Sequence, residues 1–316
     1  MPESDASQAH LPVLLHESIR LLSPERGGLF VDATLGMGGH SDAILEASPD
    51  ARVIGIDQDE AALKLARERL ARFGTRIEFV RSNFLAIREI VGDATPNGIL
   101  ADLGVSSLQL DDATRGFSFR EDAPLDMRMD TRGGETAADL LATLGEKELA
   151  DIIYRYGEER FSRRIARRIV ERREAGQPVT TTFELADLVK RSVRYNPKDR
   201  IHPATRTFQA LRIAVNHELD ILEQFITDSV DILKTDGVLA IITFHSLEDR
   251  IVKHAFQKLS GKCSCPPRIP QCVCGAEKRV EILTRKPILP AASETELNPR
   301  SRSAKLRACR KLQPLN

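Results

Sequence analysis

An α/β fold, an open sheet flanked by helices and interrupted by an all-helical insertion, follows from three features of this 316-residue chain. The first is a strand, turn, helix and strand in succession. Leu29 to Val31 is apolar, Gly36-Met37-Gly38-Gly39 is a glycine-rich turn, Ser41 to Ala47 is helical, and Val53 to Ile56 is a second strand ending in Asp57. The second is a pair of later apolar runs, Gly98 to Ala101 and Val238 to Phe244, which end in Asp102 and His245. The third is the stretch from Thr136 to Lys190, which carries four helical patterns and no strand. The predicted division is a discontinuous sheet domain, 1–130 with 205–316, and an inserted helical domain, 131–204.

Glycines after a first strand and an acid at the end of the second are how open α/β sheets hold an adenosine, the acid accepting the ribose hydroxyls. Asp57 is that acid. The dinucleotide pattern needs a third glycine where this chain has Ser41, so NAD is disfavoured. S-adenosylmethionine (SAM), with an amino acid in place of the pyrophosphate, needs only close backbone approach. The competing reading is a tight turn that holds no ligand.

The remaining elements follow in order. His16 to Leu22 is a short amphipathic helix stopped by Ser23-Pro24, and Glu60 to Phe73 is a surface helix closed by Gly74. Ile77 to Val80 is a third strand, followed by Phe84, which lies either beside an adenine or in the core. Asp102 falls where open sheets bind ligands, and the alternative for it is a turn aspartate. Gly104, Ser106, Ser107 and Gln109 then suit a loop that handles substrate. Between Leu110 and Asp130, Phe117 and Phe119 alternate with Arg115 and Arg128, a pattern fit either to clamp a nucleotide or to pack a loop.

Helices are predicted over Thr136 to Leu144, Glu146 to Tyr156, Glu158 to Ala175 and Thr182 to Val193. The third has Arg160, Arg163, Arg164, Arg167 and Arg168 around one face, which reads as a phosphate contact, with a solvated face as the alternative. A long helix is predicted from His202 to Leu233, with Leu211, Ala214, Val215, Leu219 and Leu222 as its buried stripe. Val280 to Thr284 and Ser303 to Arg310 are the last strands. Arg300, Arg302, Lys305, Arg307, Arg310 and Lys311 form a second basic patch.

Acidic and basic residues balance at 46 each, so attraction to nucleic acid must come from local segregation of charge. No run approaches the ~18 apolar residues of a membrane span, and Met1 to His10 lacks the layout of a signal peptide, so a soluble cytoplasmic protein is expected. Four of the five cysteines, Cys263, Cys265, Cys272 and Cys274, are clustered. Four thiolates can wrap a tetrahedral zinc ion, but a one-residue gap is tighter than the usual structural spacing. Reduced free thiols are therefore the favoured reading, and no metal is assigned.

Val31 to Ser41, Asp102 to Ser107, Arg115 to Phe119, Pro124 to Met129, Tyr156 to Phe161, His202 to Arg212 and Phe244 to Arg250 are seven ordered motifs that together resemble the bacterial RsmH (MraW) family. The resemblance runs from about His10 to Ser303. It implies a Rossmann-like SAM-dependent methyltransferase sheet with an inserted helical domain, acting on N4 of a cytidine in the 16S rRNA of the small ribosomal subunit. It also implies SAM contacts at Gly38, Gly39, His40, Asp57, Phe84, Asp102 and Gln109. The oligomeric state stays open, a homodimer included.

Cytosine N4 is a poor nucleophile because its lone pair is delocalised into the ring. An acceptor on the N4 hydrogens both pyramidalises the amine and aims it, and Asp102 or the carbonyl of Leu103 is placed for that role. Attack at ring carbon is not involved, so no cysteine nucleophile is required. The base must leave its stack, and Phe117, Phe119 or Phe244 is a candidate to receive it. Two other readings compete: an RNA-binding module without activity, and a methyltransferase for small molecules or proteins. The first predicts decay of the glycine turn, yet Gly36, Gly38, Gly39, Asp57 and Asp102 stand together. The second leaves both basic stretches without a purpose.

Overall fold

The computed structural model describes residues 12–193, 202–263, 265 and 277–313. The chain forms two units, one of Met1–Gly104 with Ile221–Asn316, the other of Val105–Asp220.

The first unit is built on seven strands: β1 (Gly28–Asp32), β2 (Ala51–Asp57), β3 (Ile77–Arg81), β4 (Gly98–Asp102), β5 (Val238–Thr243), β6 (Val280–Ile282) and β7 (Lys305–Lys311). Their order is β3-β2-β1-β4-β5-β7-β6. The pairs from β3 to β5 are parallel, while β7 runs antiparallel to both β5 and β6. Both faces of the sheet are covered, which is why its strands read as unbroken apolar runs rather than alternating ones. Val31, Ile99, Ala101, Leu239 and Ile241 face one layer with Phe225, Ile226, Val252 and Phe256. Phe30, Leu100, Ala240 and Ile242 face the other with Ile44, Leu45, Leu63 and Leu70. Strand order reverses direction between β1 and β4, and a crevice at the carboxyl ends of such strands is where open sheets bind ligands.

The second unit holds the helices Ala137–Thr143, Glu146–Gly157, Ser162–Glu174, Thr182–Ser192 and Thr205–Asn216. Its core includes Leu149, Ile153, Ile165, Ile169, Leu185, Val189, Phe208 and Leu211. It extends beyond 131–204 at both ends, because Phe117, Leu125, Met127 and Met129 pack into that core, as does the helix from Thr205. The irregular stretch is anchored by the Asn216 side chain, which accepts from the Met129 N–H at 2.7 Å and donates to the Met127 carbonyl at 2.8 Å.

The expected helix from His202 to Leu233 is two helices, Thr205–Asn216 and Leu222–Ile232, broken at His217 with φ 52°. Leu211 belongs to the helical core and Leu222 to the sheet core, so one continuous stripe served two units. Among the described residues no helix is long and apolar enough to cross a membrane.

Candidate active site

β1 and β4 flank the switch in strand order, β2 lies next to β1, and each of the three ends on an acid: Asp32, Asp102 and Asp57 respectively. The turn after β1 ties these ends together. Asp32, 1% exposed, accepts from the Ser41 hydroxyl at 2.7 Å and from the Thr34 N–H at 3.4 Å. The Thr34 hydroxyl accepts the Asp102 N–H at 2.6 Å. Gly36 N–H donates to Asp57 Oδ2 at 2.7 Å, and Asp59 N–H to Asp57 Oδ1 at 2.9 Å. A carboxylate oxygen has two lone pairs, so Asp57 keeps acceptor capacity for hydroxyl groups.

The glycines of this turn are required by packing as well as by curvature. Gly38 has φ 79°, and a Cβ there would sit 2.8 Å from Leu70 Cδ1; one on Gly39 would sit 2.4 Å from Pro12. The helix Gly39–Ala47 then starts with its first amides at the crevice end of β1.

Crowded acids raise one another. Burial pushes the Asp32 carboxyl up to about 6, against the pull of its Ser41 bond, and pushes Asp57 up to about 6 as well. Asp102 stands well above the usual carboxylate range, first through burial and then through the charges of Asp32 and Glu248. Its Oδ1 is buried without a hydrogen-bond partner among the described residues. None of the groups that set the Asp102 ionisation is a cation. A site of this composition favours a positively charged ligand, and an acid poised near neutrality suits proton transfer.

β5 ends beside β4, with Ile242 opposite Asp102. His245 caps the helix Ser246–Leu259, and Glu248, 2% exposed, reaches back to accept from the Phe244 N–H at 2.8 Å. The His245 Nε2 to Glu248 Oε1 distance is 3.0 Å. The sequence reading passed over Asp32, Thr34 and Glu248, although two signals were present. An acid inside an apolar strand needs a reason, and His-x-x-Glu before a helix has the spacing of a reciprocal cap.

The other expected site residues divide. Gly38, Gly39, Asp57 and Asp102 lie in or beside the turn just described. The His40 ring is buried, its Nε2 3.1 Å from the Val13 carbonyl. Phe84 packs on the sheet core, its ring 4.7 Å from that of Phe225. The Leu103 N–H donates to the Ile242 carbonyl at 3.0 Å, which fixes that backbone at the end of β4. Gln109 belongs to the helical unit, where its side chain accepts the Ser106 N–H at 3.0 Å. Phe117 is in the helical core, and Phe119 packs edge-on against Phe208 and at a tilt against His202.

The basic stretches are partly committed within the protein. Arg164 and Arg168 donate to the Ser192 and Arg191 carbonyls, and Arg173 donates to those of Leu141, Ala142 and Leu144. These arginines cap neighbouring helices with one nitrogen each, a structural role the sequence did not show, and the phosphate reading of the face remains an expectation. Arg160, Arg163, Arg164, Arg167 and Arg168 are all exposed; among the described residues Arg160 and Arg163 neither donate to a carbonyl nor pair with an acid, while Arg167 lies 3.7 Å from Glu146. In the tail, Arg307, 6% exposed, pairs with Asp249 at 2.6 Å, and Lys311 donates to the Asp231 and Leu233 carbonyls, so these two are spent inside the protein, while Arg302 is exposed. Of the clustered cysteines, Cys263 is exposed and Cys265 half-buried, while Cys272 and Cys274 lie outside the described residues.

Comparison with known proteins gives one answer. Residues 7–312 match the MraW methylase family. A protein of Carboxydothermus hydrogenoformans called ribosomal RNA small subunit methyltransferase H is 52% identical over 96% of this chain and 98% of its own length. One of the same name from Trichlorobacter lovleyi is 53% identical over the same shares. Among solved structures, an rRNA methylase from Streptococcus thermophilus aligns with a TM-score of 0.42 at 13% identity, over 96% of this chain and 100% of its own.

Proposed function

The chain belongs to the MraW methylase family, and from that premise we propose that it methylates the N4 amine of one cytidine in 16S rRNA of the small ribosomal subunit, using SAM. The observation that carries this reading is the cluster of raised carboxyls around the unpaired Asp102 Oδ1, a site short of positive charge at the strand edge where ligands bind. SAM fits it: when bound, it supplies an electrophilic methyl group on a cationic sulfur, together with an ammonium group. Asp57 would hold the ribose hydroxyls, and the Gly38, Gly39 and His40 backbone the amino-acid end. Phe84, engaged with the core, would line the adenine side by its exposed edge.

Asp102 then accepts a hydrogen of the cytosine amine, with the Leu103 carbonyl as second acceptor, so that the nitrogen lone pair is turned out of conjugation. Once the nitrogen has gained a substituent it must lose a proton. A carboxylate whose affinity for protons is raised by burial and neighbouring acids takes that proton better than an ordinary one. Thr34 holds the Asp102 backbone in place for both roles. Such a substrate places the reaction in the cytoplasm.

The test is transfer of tritiated methyl from SAM to small subunits, to bare 16S rRNA and to subunit proteins, followed by mass mapping of the modified nucleoside. Label confined to rRNA as N4-methylated cytidine is expected. Label in protein, or on a different atom, overturns the reading.

A further inference from the structure

Three phenylalanines were candidates to receive the extruded base, and two are engaged: Phe117 is 8% exposed in the helical core, and Phe119 packs edge-on against Phe208 and at a tilt against His202. Phe244 differs. It follows β5 directly, on the strand next to the one that carries Asp102. Its ring is half-buried, with one side packed on the core layer that contains Leu14, Leu22 and Ile242. Its backbone is held by the buried Glu248, which accepts the Phe244 N–H at 2.8 Å and the His245 N–H at 3.3 Å. The ring lies beside Gly104, two residues past Asp102: a Cβ added to that glycine would come 3.5 Å from Phe244 Cδ2. Gly104 therefore brings no side chain against the ring at the loop that follows Asp102.

Resting on the methyltransferase reading above, we propose that the Phe244 ring is the surface on which the acceptor cytosine lies while its amine meets Asp102 and the Leu103 carbonyl. A partly buried aromatic ring at the end of a strand offers a flat base a stacking surface without sequence readout, and the acid on the neighbouring strand end chooses the atom.

The experiment compares wild type with F244L, F244Y and F244W in single-turnover transfer to small subunits and in SAM affinity by calorimetry. Leucine keeps the apolar bulk that packing needs but has no ring. F244L should lower transfer by about 10- to 100-fold with SAM affinity within about twofold, whereas F244Y should stay within about threefold of wild type. The chain contains no tryptophan, so F244W carries the only one, and its emission should be quenched when subunits are added to the S-adenosylhomocysteine-saturated protein. Transfer by F244L at the wild-type rate, F244Y no better than F244L, or unquenched emission from F244W each overturns the proposal. A wild-type protein that labels no rRNA overturns the methyltransferase reading instead.

Discussion

Asp57 and Asp32 sit a few residues from the same turn and carry similarly raised carboxyls, yet substitutions at the two should be read by different measurements. Asp57→Ala removes an acceptor proposed to hold ribose hydroxyls, a loss of about 1.5 to 3 kcal/mol, so SAM affinity should fall by roughly 10- to 150-fold in calorimetry while the fold persists. Asp32 has no assigned ligand and reports on stability. Its carboxyl titrates at about 6 in the folded protein against an ordinary value of 3.8, so the folded state holds the proton more tightly, and stability is lost as pH rises through that window. Asp32→Asn lacks this loss. Its stability relative to wild type should therefore improve by about 3 kcal/mol between about pH 3.5 and pH 7, as measured by urea unfolding. The place of Asp57 at a strand end was legible in the sequence, because an apolar run that stops at an acid marks it. The role of Asp32 was not, because it depends on Ser41 and on neighbours that only the fold assembles.

Reciprocal caps made some helix boundaries legible but not all: Ser106 and Gln109 form one, and the helix Ser107–Asp111 that they start stands where the sequence reads as a loop. Thr136 with Asp139, and Thr181 with Glu184, form reciprocal caps, and the predicted starts of those helices fall within one residue of the observed ones. The break at His217 escaped because no glycine or proline marks it. What the helices do to one another was also illegible. Gly157 ends a helix where a Cβ would lie 2.4 Å from the Arg206 carbonyl oxygen, a backbone atom that cannot step aside. Gly157→Ala should force the two helices apart and cost about 1 to 3 kcal/mol in thermal or urea unfolding. The arginine-rich helix shows the same limit: periodicity reports which residues share a face but not which carbonyls lie opposite them. Replacing Arg160, Arg163 and Arg167 by glutamate should leave stability and SAM affinity intact. It should flatten the salt dependence of subunit binding, by a slope of about one for each phosphate that the helix no longer neutralises. Arg164, Arg168 and Arg173 are unsuited to that test, since their removal uncaps helices.

At the scale of the whole chain, the parallel order of β1 to β4 was readable from the alternation of strand and helix, but the antiparallel return of β7 was not, because period-2 patterns carry no direction. The insertion has a consequence for how the protein is made. β4 ends at Asp102 and its neighbour β5 begins at Val238, so their pairing closes a loop that contains the entire helical unit. β1, β2 and β3 pair across short connections by comparison. Closing a long loop costs entropy before any contact repays it, and chains of this size commonly fold through intermediates. In pulsed hydrogen exchange during refolding, amides of β2 and β3 should gain protection before those of β5 and β7, and simultaneous protection would refute the order. On the ribosome the first three strands emerge long before their later partners. The edge of β4 that β5 will cover is then left unpaired for the time it takes to synthesise the helical unit.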